Sequence, residues 1–176
     1  MINKNNSAYV LLFLATLFWA GNFVVGKYAS YYEIPPFSLN FYRWFFAWLI
    51  LAPFTIKEII KKKNYIVKNY KYYAILGITS VTIFNSIVYY SLNFTQVISG
   101  VLMISTIPVM IMFISSILKI EKTNIYQILG VAFSFLGVIL IVTKANFGVL
   151  MNLDFNKGDI TMVFGMLSWA TYSALL

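Results

Sequence analysis

One arginine and a small set of amides, hydroxyls and indoles are the residues here that could do chemistry, and that chemistry is binding. Arg43 is the single charge within the 23 residues between Glu33 and Lys57. A charge inside hydrocarbon is costly and turns toward protein or water. Arg43 is therefore a candidate to hold an anionic group or to pair with a partner elsewhere; the alternative is a side chain that snorkels to the headgroups. Asn40, Arg43 and Ala47 share one helical face, which favours an inward role. Ala15, Trp19, Asn22 and Gly26 fall at i, i+4, i+7 and i+11, also a single face. Trp19 and Asn22 there either line a cavity or pack against a neighbouring helix, with Asn22 hydrogen-bonded. Thr82, Asn85, Ser86, Tyr89 and Asn93 form a third polar stripe. A stripe this long does not face lipid; it faces other helices or a watery cavity. Aromatic walls with amide and hydroxyl groups suit a small amphipathic metabolite, such as an amino acid or a relative.

The absences narrow the chemistry. The chain has no Cys and no His, so thiol catalysis, zinc sites and imidazole acid–base work are excluded. Glu33, Glu58, Glu121, Asp154 and Asp159 all fall in loops or at span ends. With no carboxylate inside a span, an intramembrane enzyme is not expected, and any proton relay would need residues from elsewhere. No phosphate-cradling G-x-x-x-x-G-K-S/T occurs. No catalytic residue, metal or cofactor is expected.

The elements that position these residues follow from composition. Of 176 residues, 61% are apolar and 10% charged, against about 45–50% and about 25% in soluble domains. Charges divide the chain into apolar runs, and spans are read at about 8–26, 37–56, 72–92, 97–118, 125–143 and 160–176. Asn93-Phe94-Thr95-Gln96 is the turn that splits the 47 uncharged residues between Lys71 and Lys119. The spans should be helices, because an open sheet edge cannot stay unpaired in lipid. The first run lacks a cleavage site and should remain a span. The result is an all-α integral membrane protein with five transmembrane helices and a truncated sixth.

Charge also sets orientation. Nine lysines fall on one side of this map: Lys4, the cluster Lys57, Lys61, Lys62, Lys63, Lys68 and Lys71, and Lys119 with Lys122. Lys27, Lys144 and Lys157 fall on the other. The positive-inside rule puts the N-terminus in the cytoplasm. The net charge of +8 is thus a topology signal, with anionic headgroups a second use of the six-lysine cluster and no nucleic-acid role. Lys27 reads as an interfacial anchor. Pro108 interrupts the fourth span and permits a kink or gating joint. Gly130, Ser134 and Gly137 look like close-packing positions in the fifth.

Leu17-Phe18-Trp19-Ala20 and Leu167-Ser168-Trp169-Ala170 share L-x-W-A. Five spans separate them, so a second copy would enter the membrane with opposite orientation, the arrangement of inverted-repeat transporters.

Taken in order, these motifs resemble the EamA-type domain of the drug/metabolite transporter superfamily. The resemblance rests on Trp19-Ala20-Gly21-Asn22-Phe23 with Lys27, on Pro35-Pro36 with Arg43, and on Pro108, Glu121, Gln127, Gly130 and Gly137. Gly158-Asp159 with Ser168-Trp169-Ala170-Thr171-Tyr172 resembles the opening of a second copy. The resemblance implies a five-helix repeat over 1–150, and an outer loop with the first, truncated span of a second repeat over 151–176. It implies one half of an inverted-repeat permease of the cytoplasmic membrane, moving small metabolites by alternating access. Its partners would be the lipid bilayer, a small-molecule solute and a second repeat or partner half. Trp169 and Tyr172 then join Trp19, Asn22, Arg43, Asn85, Ser86 and Tyr89 along the substrate path. The alternative is a non-transporting membrane scaffold, or a small subunit that forms a carrier only with a partner.

Overall fold

The computed structural model describes residues 4–120, 124–142, 148, 151 and 156–176, and every regular element in them is helical. Glu121, Lys122, Lys144 and Asp154 lie outside the described residues. α1 spans Lys4–Tyr31. It ends as Glu33 takes a left-handed turn (φ 54) and the Ile34 amide bonds back to the Ala29 carbonyl at 3.1 Å, a closure that satisfies terminal carbonyls without a glycine. α2 spans Pro36–Lys61, with proline in its first turn, where a missing N–H costs nothing. The basic segment after it is helical rather than a loop. α3 covers Lys63–Lys68, in keeping with the good helix propensity of lysine.

The third apolar run is built of three pieces. α4 (Tyr70–Gly77) passes into a π-helical segment (Ile78–Phe84) and then into α5 (Asn85–Ser91). The fourth run is α6 (Val97–Ile104) and α7 (Ile107–Ile117), separated at Ser105 and Thr106. Pro108 stands in the first turn of α7. It has no N–H to offer the Ile104 carbonyl one turn earlier, and α6 ends at that residue. α8 (Ile125–Val142) starts at Asn124, whose side-chain oxygen accepts the Tyr126 amide at 3.2 Å, while Gln127 accepts the Asn124 amide at 2.9 Å. α9 (Lys157–Leu175) opens on a reciprocal cap between Asn156 and Asp159.

Among the described residues, three stretches are long and apolar enough to cross a membrane: Ser7–Tyr31, Tyr70–Ser91 and Val97–Ile117. The core lies between α9 and the two latter stretches. Met162, Met166 and Ala170 of α9 are fully buried against Val88 and Tyr89 of α5, Leu92 just after it, Ile107 of α7 and Phe23 of α1. α1 and α8 sit at the margin, with most of their large apolar side chains exposed. A side chain at Gly130 or Gly137 would meet nothing within 4 Å. The close packing expected there is not made by the described residues, because α8 touches α6 and α7 only lightly.

Candidate functional site

Arg43, half-buried on α2, meets α1 and α5 at one point. Its Nη1 donates to the Asn22 side-chain oxygen and to the Tyr89 phenol oxygen, and the Tyr89 hydroxyl donates to the same Asn22 oxygen. The guanidinium also lies over the Trp44 and Tyr89 rings, at 5.2 and 5.8 Å from their centroids. Every group answering the charge is neutral, and no ion pair forms among the described residues. Guanidinium carries five N–H donors, so most of them remain available. Gly26 makes the meeting possible: a Cβ there would come within 2.7 Å of the Tyr89 ring.

One turn before Arg43, Asn40 is buried and donates to the Val81 carbonyl and to the Ser86 hydroxyl oxygen, both at 2.9 Å. Asn85 donates to the Ser80 carbonyl at 2.8 Å, and Ser168 of α9 to the Thr79 carbonyl at 2.8 Å. Three consecutive carbonyls of the π segment are therefore each taken by a side chain. Wide π turns release carbonyls from the ordinary ladder, and with no water in hydrocarbon other donors must satisfy them. The same segment shifts helical phase, which divides the expected polar stripe. Thr82 is exposed, Asn85 serves the π segment, Ser86 accepts from Asn40, Tyr89 serves Arg43, and exposed Asn93 folds back on the Tyr89 and Tyr90 carbonyls. The side-chain oxygen of Asn40 is buried with no partner.

Trp19 and Trp169, the two tryptophans of the L-x-W-A pair, meet edge to face with centroids 6.3 Å apart. Trp169 also packs on Phe84 and Tyr172, at 4.7 and 5.1 Å.

At the end of the bundle where α1 stops and α9 begins, Lys27 turns inward. Its Nζ donates to the Leu92 and Thr95 carbonyls at 2.8 and 2.9 Å, capping α5 instead of reaching for headgroups. The Thr95 hydroxyl donates to the buried Asp159 carboxylate. Gly158 lies so close to α5 that a Cβ would come within 2.7 Å of the Ser91 carbonyl. Asn40 shares a helical face with Arg43 in the sequence, but the bonds it makes carry no signal there. The roles of Ser168 and Thr95 had no signal, because both depend on backbone carbonyls that only the fold exposes.

Residues 6–143 match the EamA-like transporter family. The chain belongs to that family. It is similar to the uncharacterized transporter YyaM of Bacillus subtilis (strain 168), at 27% identity over 98% of this chain and 56% of the relative. An uncharacterized transporter of Archaeoglobus fulgidus is 28% identical over 97% of this chain and 57% of its own length. The uncharacterized transporter YrdR of Bacillus subtilis (strain 168) is 22% identical over 91% and 51%. The chain thus spans about half the length of the curated relatives it matches. No solved structure matches it. Family and apolar helices together make this a multi-pass membrane protein of the drug/metabolite transporter superfamily.

Proposed function

We propose that this chain supplies one five-helix repeat, and the opening helix of a second, to a permease for small metabolites. α2, α8 and α9 complete the span count alongside the three long apolar stretches. The N-terminus faces the cytoplasm, as the lysine distribution of the sequence favours. A second repeat, on the same polypeptide or on a partner, completes the carrier. The two halves alternate access to a site near the midplane; support comes from the contact between the motif tryptophans Trp19 and Trp169.

The observation that carries the reading is the state of the α2 face. Among the described residues, Arg43 is answered only by neutral oxygens, and one turn away the buried Asn40 oxygen has no donor. A solute bearing a carboxylate and an N–H donor complements both: the carboxylate takes the open guanidinium donors, and the N–H satisfies the orphaned oxygen. Amino acids and their close relatives have that pattern. Asn22 and Tyr89 orient the guanidinium, and Trp19, Trp169 and Tyr172 supply aromatic wall. Asn85 and Ser86 hold span three in the shape that presents Tyr89.

The test is uptake by proteoliposomes containing the complete polypeptide purified from its native membrane. Labelled amino acids are expected to accumulate under an imposed gradient. Arg43→Gln is expected to cut carboxylate-bearing solutes by tenfold or more, from the roughly 1.5–3 kcal/mol a charged hydrogen bond contributes. Arg43→Lys should restore part of that loss. No movement of any solute under any gradient would sink the transporter reading. Equal loss for solutes with and without a carboxylate would reduce Arg43 to a structural role.

A further inference from the structure

Beside the core a groove of about 330 Å³ lies between the first turn of α2, α5 and α9. Phe37, Ser86, Ile87, Tyr90, Thr161 and Phe164 line it. Its walls are apolar because the two hydroxyls are turned into the protein. The Ser86 oxygen accepts from Asn40, and Thr161 pairs with Ser91 at 2.8 Å while donating to the Lys157 carbonyl at 3.0 Å. Tyr90, Phe37 and Phe164 are all exposed, so the groove opens at the surface of this chain.

A cation stands at its head. Lys157, Thr161 and Phe164 lie at i, i+4 and i+7, one face of α9. The Lys157 Nζ lies 3.8 Å from the centre of the Phe94 ring, and Phe94 packs on Tyr90 at 5.1 Å. Lys157 therefore sits over the same aromatic column that forms the groove wall. The nearest carboxylate along α9, Asp159, is taken by the Thr95 hydroxyl and the Asn156 amide, and Lys157 forms no ion pair among the described residues. Phe37 is the second residue of α2, whose N-terminus has no side-chain cap; the free amides of that first turn add positive potential at the same end.

We infer that this groove is a binding site for an anionic phospholipid: the phosphate headgroup pairs with Lys157, and one acyl chain runs down the groove past Tyr90 to Phe164. An apolar slot in hydrocarbon is filled by a chain, and a lysine at its head selects the charge of the headgroup. The groove borders the Asn40 network through Ser86, whereas Lys157 lies outside that network, so a substitution at Lys157 tests lipid binding without touching the solute site.

The test is site-resolved photo-crosslinking in nanodiscs. The complete polypeptide is placed in phosphatidylcholine containing a small fraction of either phosphatidylglycerol or phosphatidylcholine with a photoactivatable acyl chain. Labelled residues are mapped by mass spectrometry. The phosphatidylglycerol probe is expected to label Phe37, Tyr90 and Phe164 about fivefold more than the phosphatidylcholine probe, the ratio one lysine near the surface supplies. Lys157→Gln should bring that ratio to about one, and Lys157→Arg should keep it. Labelling near Lys61, Lys63 and Lys68, at the opposite end, is the internal reference and should not change. A ratio near one in the wild type, a ratio indifferent to Lys157→Gln, or no labelling in the groove would each overturn the inference.

Discussion

Gly26 is the position where a single methyl group tests how the arginine site is built. A Cβ there would lie 2.7 and 2.9 Å from two carbons of the Tyr89 ring and 3.0 Å from the Leu92 side chain. Neither neighbour has room to yield: Tyr89 is 2% exposed and Leu92 fully buried. Forcing extra volume into such a site costs about 1–3 kcal/mol. Moving the ring also pulls the phenol off Arg43, a charge-assisted bond of about 1.5–3 kcal/mol. Against this, replacing glycine by alanine within a helix gains roughly 1 kcal/mol. The net expectation for Gly26→Ala is a loss of about 0–2 kcal/mol if the ring tilts and keeps its bond, and about 1.5–5 kcal/mol if the bond is lost. Gly21→Ala is the control on the same helix, since nothing lies within 4 Å of a Cβ at that position. It should be neutral or slightly stabilising. Both are measured by reversible unfolding in mixed micelles of rising dodecyl sulfate fraction. The pair Gly26→Ala with Tyr89→Leu locates the clash: the smaller side chain should make the alanine nearly free. If Gly26→Ala unfolds at the same dodecyl sulfate fraction as Gly21→Ala, the close approach of α1 to Tyr89 is wrong and the triad with it.

Other positions carry expectations of the same kind. Ser168→Ala leaves the Thr79 carbonyl without its donor and should cost about 1–3 kcal/mol, with faster amide exchange confined to Ile78–Phe84; unchanged exchange there would refute the role. Asn40→Leu removes two donors from span three and should exceed Ser168→Ala in the same unfolding assay. Lys27→Met uncaps the Leu92 and Thr95 carbonyls. It should destabilise by about 1.5–3 kcal/mol, whereas a lysine that served only as a headgroup anchor would leave unfolding unchanged. Gly158→Ala drives a methyl into the Ser91 carbonyl and should lower the unfolding midpoint more than Gly137→Ala, which meets open space.

How much of this was legible depends on what kind of interaction carried each feature. The helical class and the apolar runs follow from the statistics of long segments, and these were readable from charge spacing alone. The inward turn of Arg43 was readable from its shared face with Asn40. The partners were not, because Asn22, Arg43 and Tyr89 come from three helices and only tertiary packing brings them together. The polar stripe of span three was read with a constant period of 3.6, yet the backbone changes period at Ile78–Phe84. Nothing in Ile78-Thr79-Ser80-Val81-Thr82 announces that change; it is held by donors on α2 and α9. Lys27 differs from its expected interfacial role for a related reason. A lysine at a span boundary ordinarily faces headgroups, and only the turn at Leu92–Thr95 shows two carbonyls waiting for it. Gly130 and Gly137 were read by composition as packing positions, but composition does not say which helix has a neighbour.

The same contacts say where this half of the molecule is stiff. α2 is fastened to span three at two levels one turn apart, through Asn40 at Val81 and Ser86 and through Arg43 at Tyr89. α9 is fastened to the same span at Thr79 by Ser168, at Ser91 by Thr161 and at Tyr72, whose hydroxyl donates to the Leu175 carbonyl, with Asp159 holding the following turn. Side-chain hydrogen bonds between membrane helices contribute about 0.6–2 kcal/mol each, and these act on one buried core. A sliding of α2 or α9 against span three would break several at once, with no water present to replace them. α1 is held at fewer points, by Asn22 and Lys27, and α8 by light contact with α6 and α7. The helix broken at Ser105–Thr106 lies between these stiff and loose parts. If the protein alternates access, the economical motion keeps α2, span three and α9 as one body. The swing then belongs to α1, α8 and the joint ahead of Pro108. Spin labels on α2 and α9 should hold a constant separation through the cycle, while labels on α1 or α8 should not.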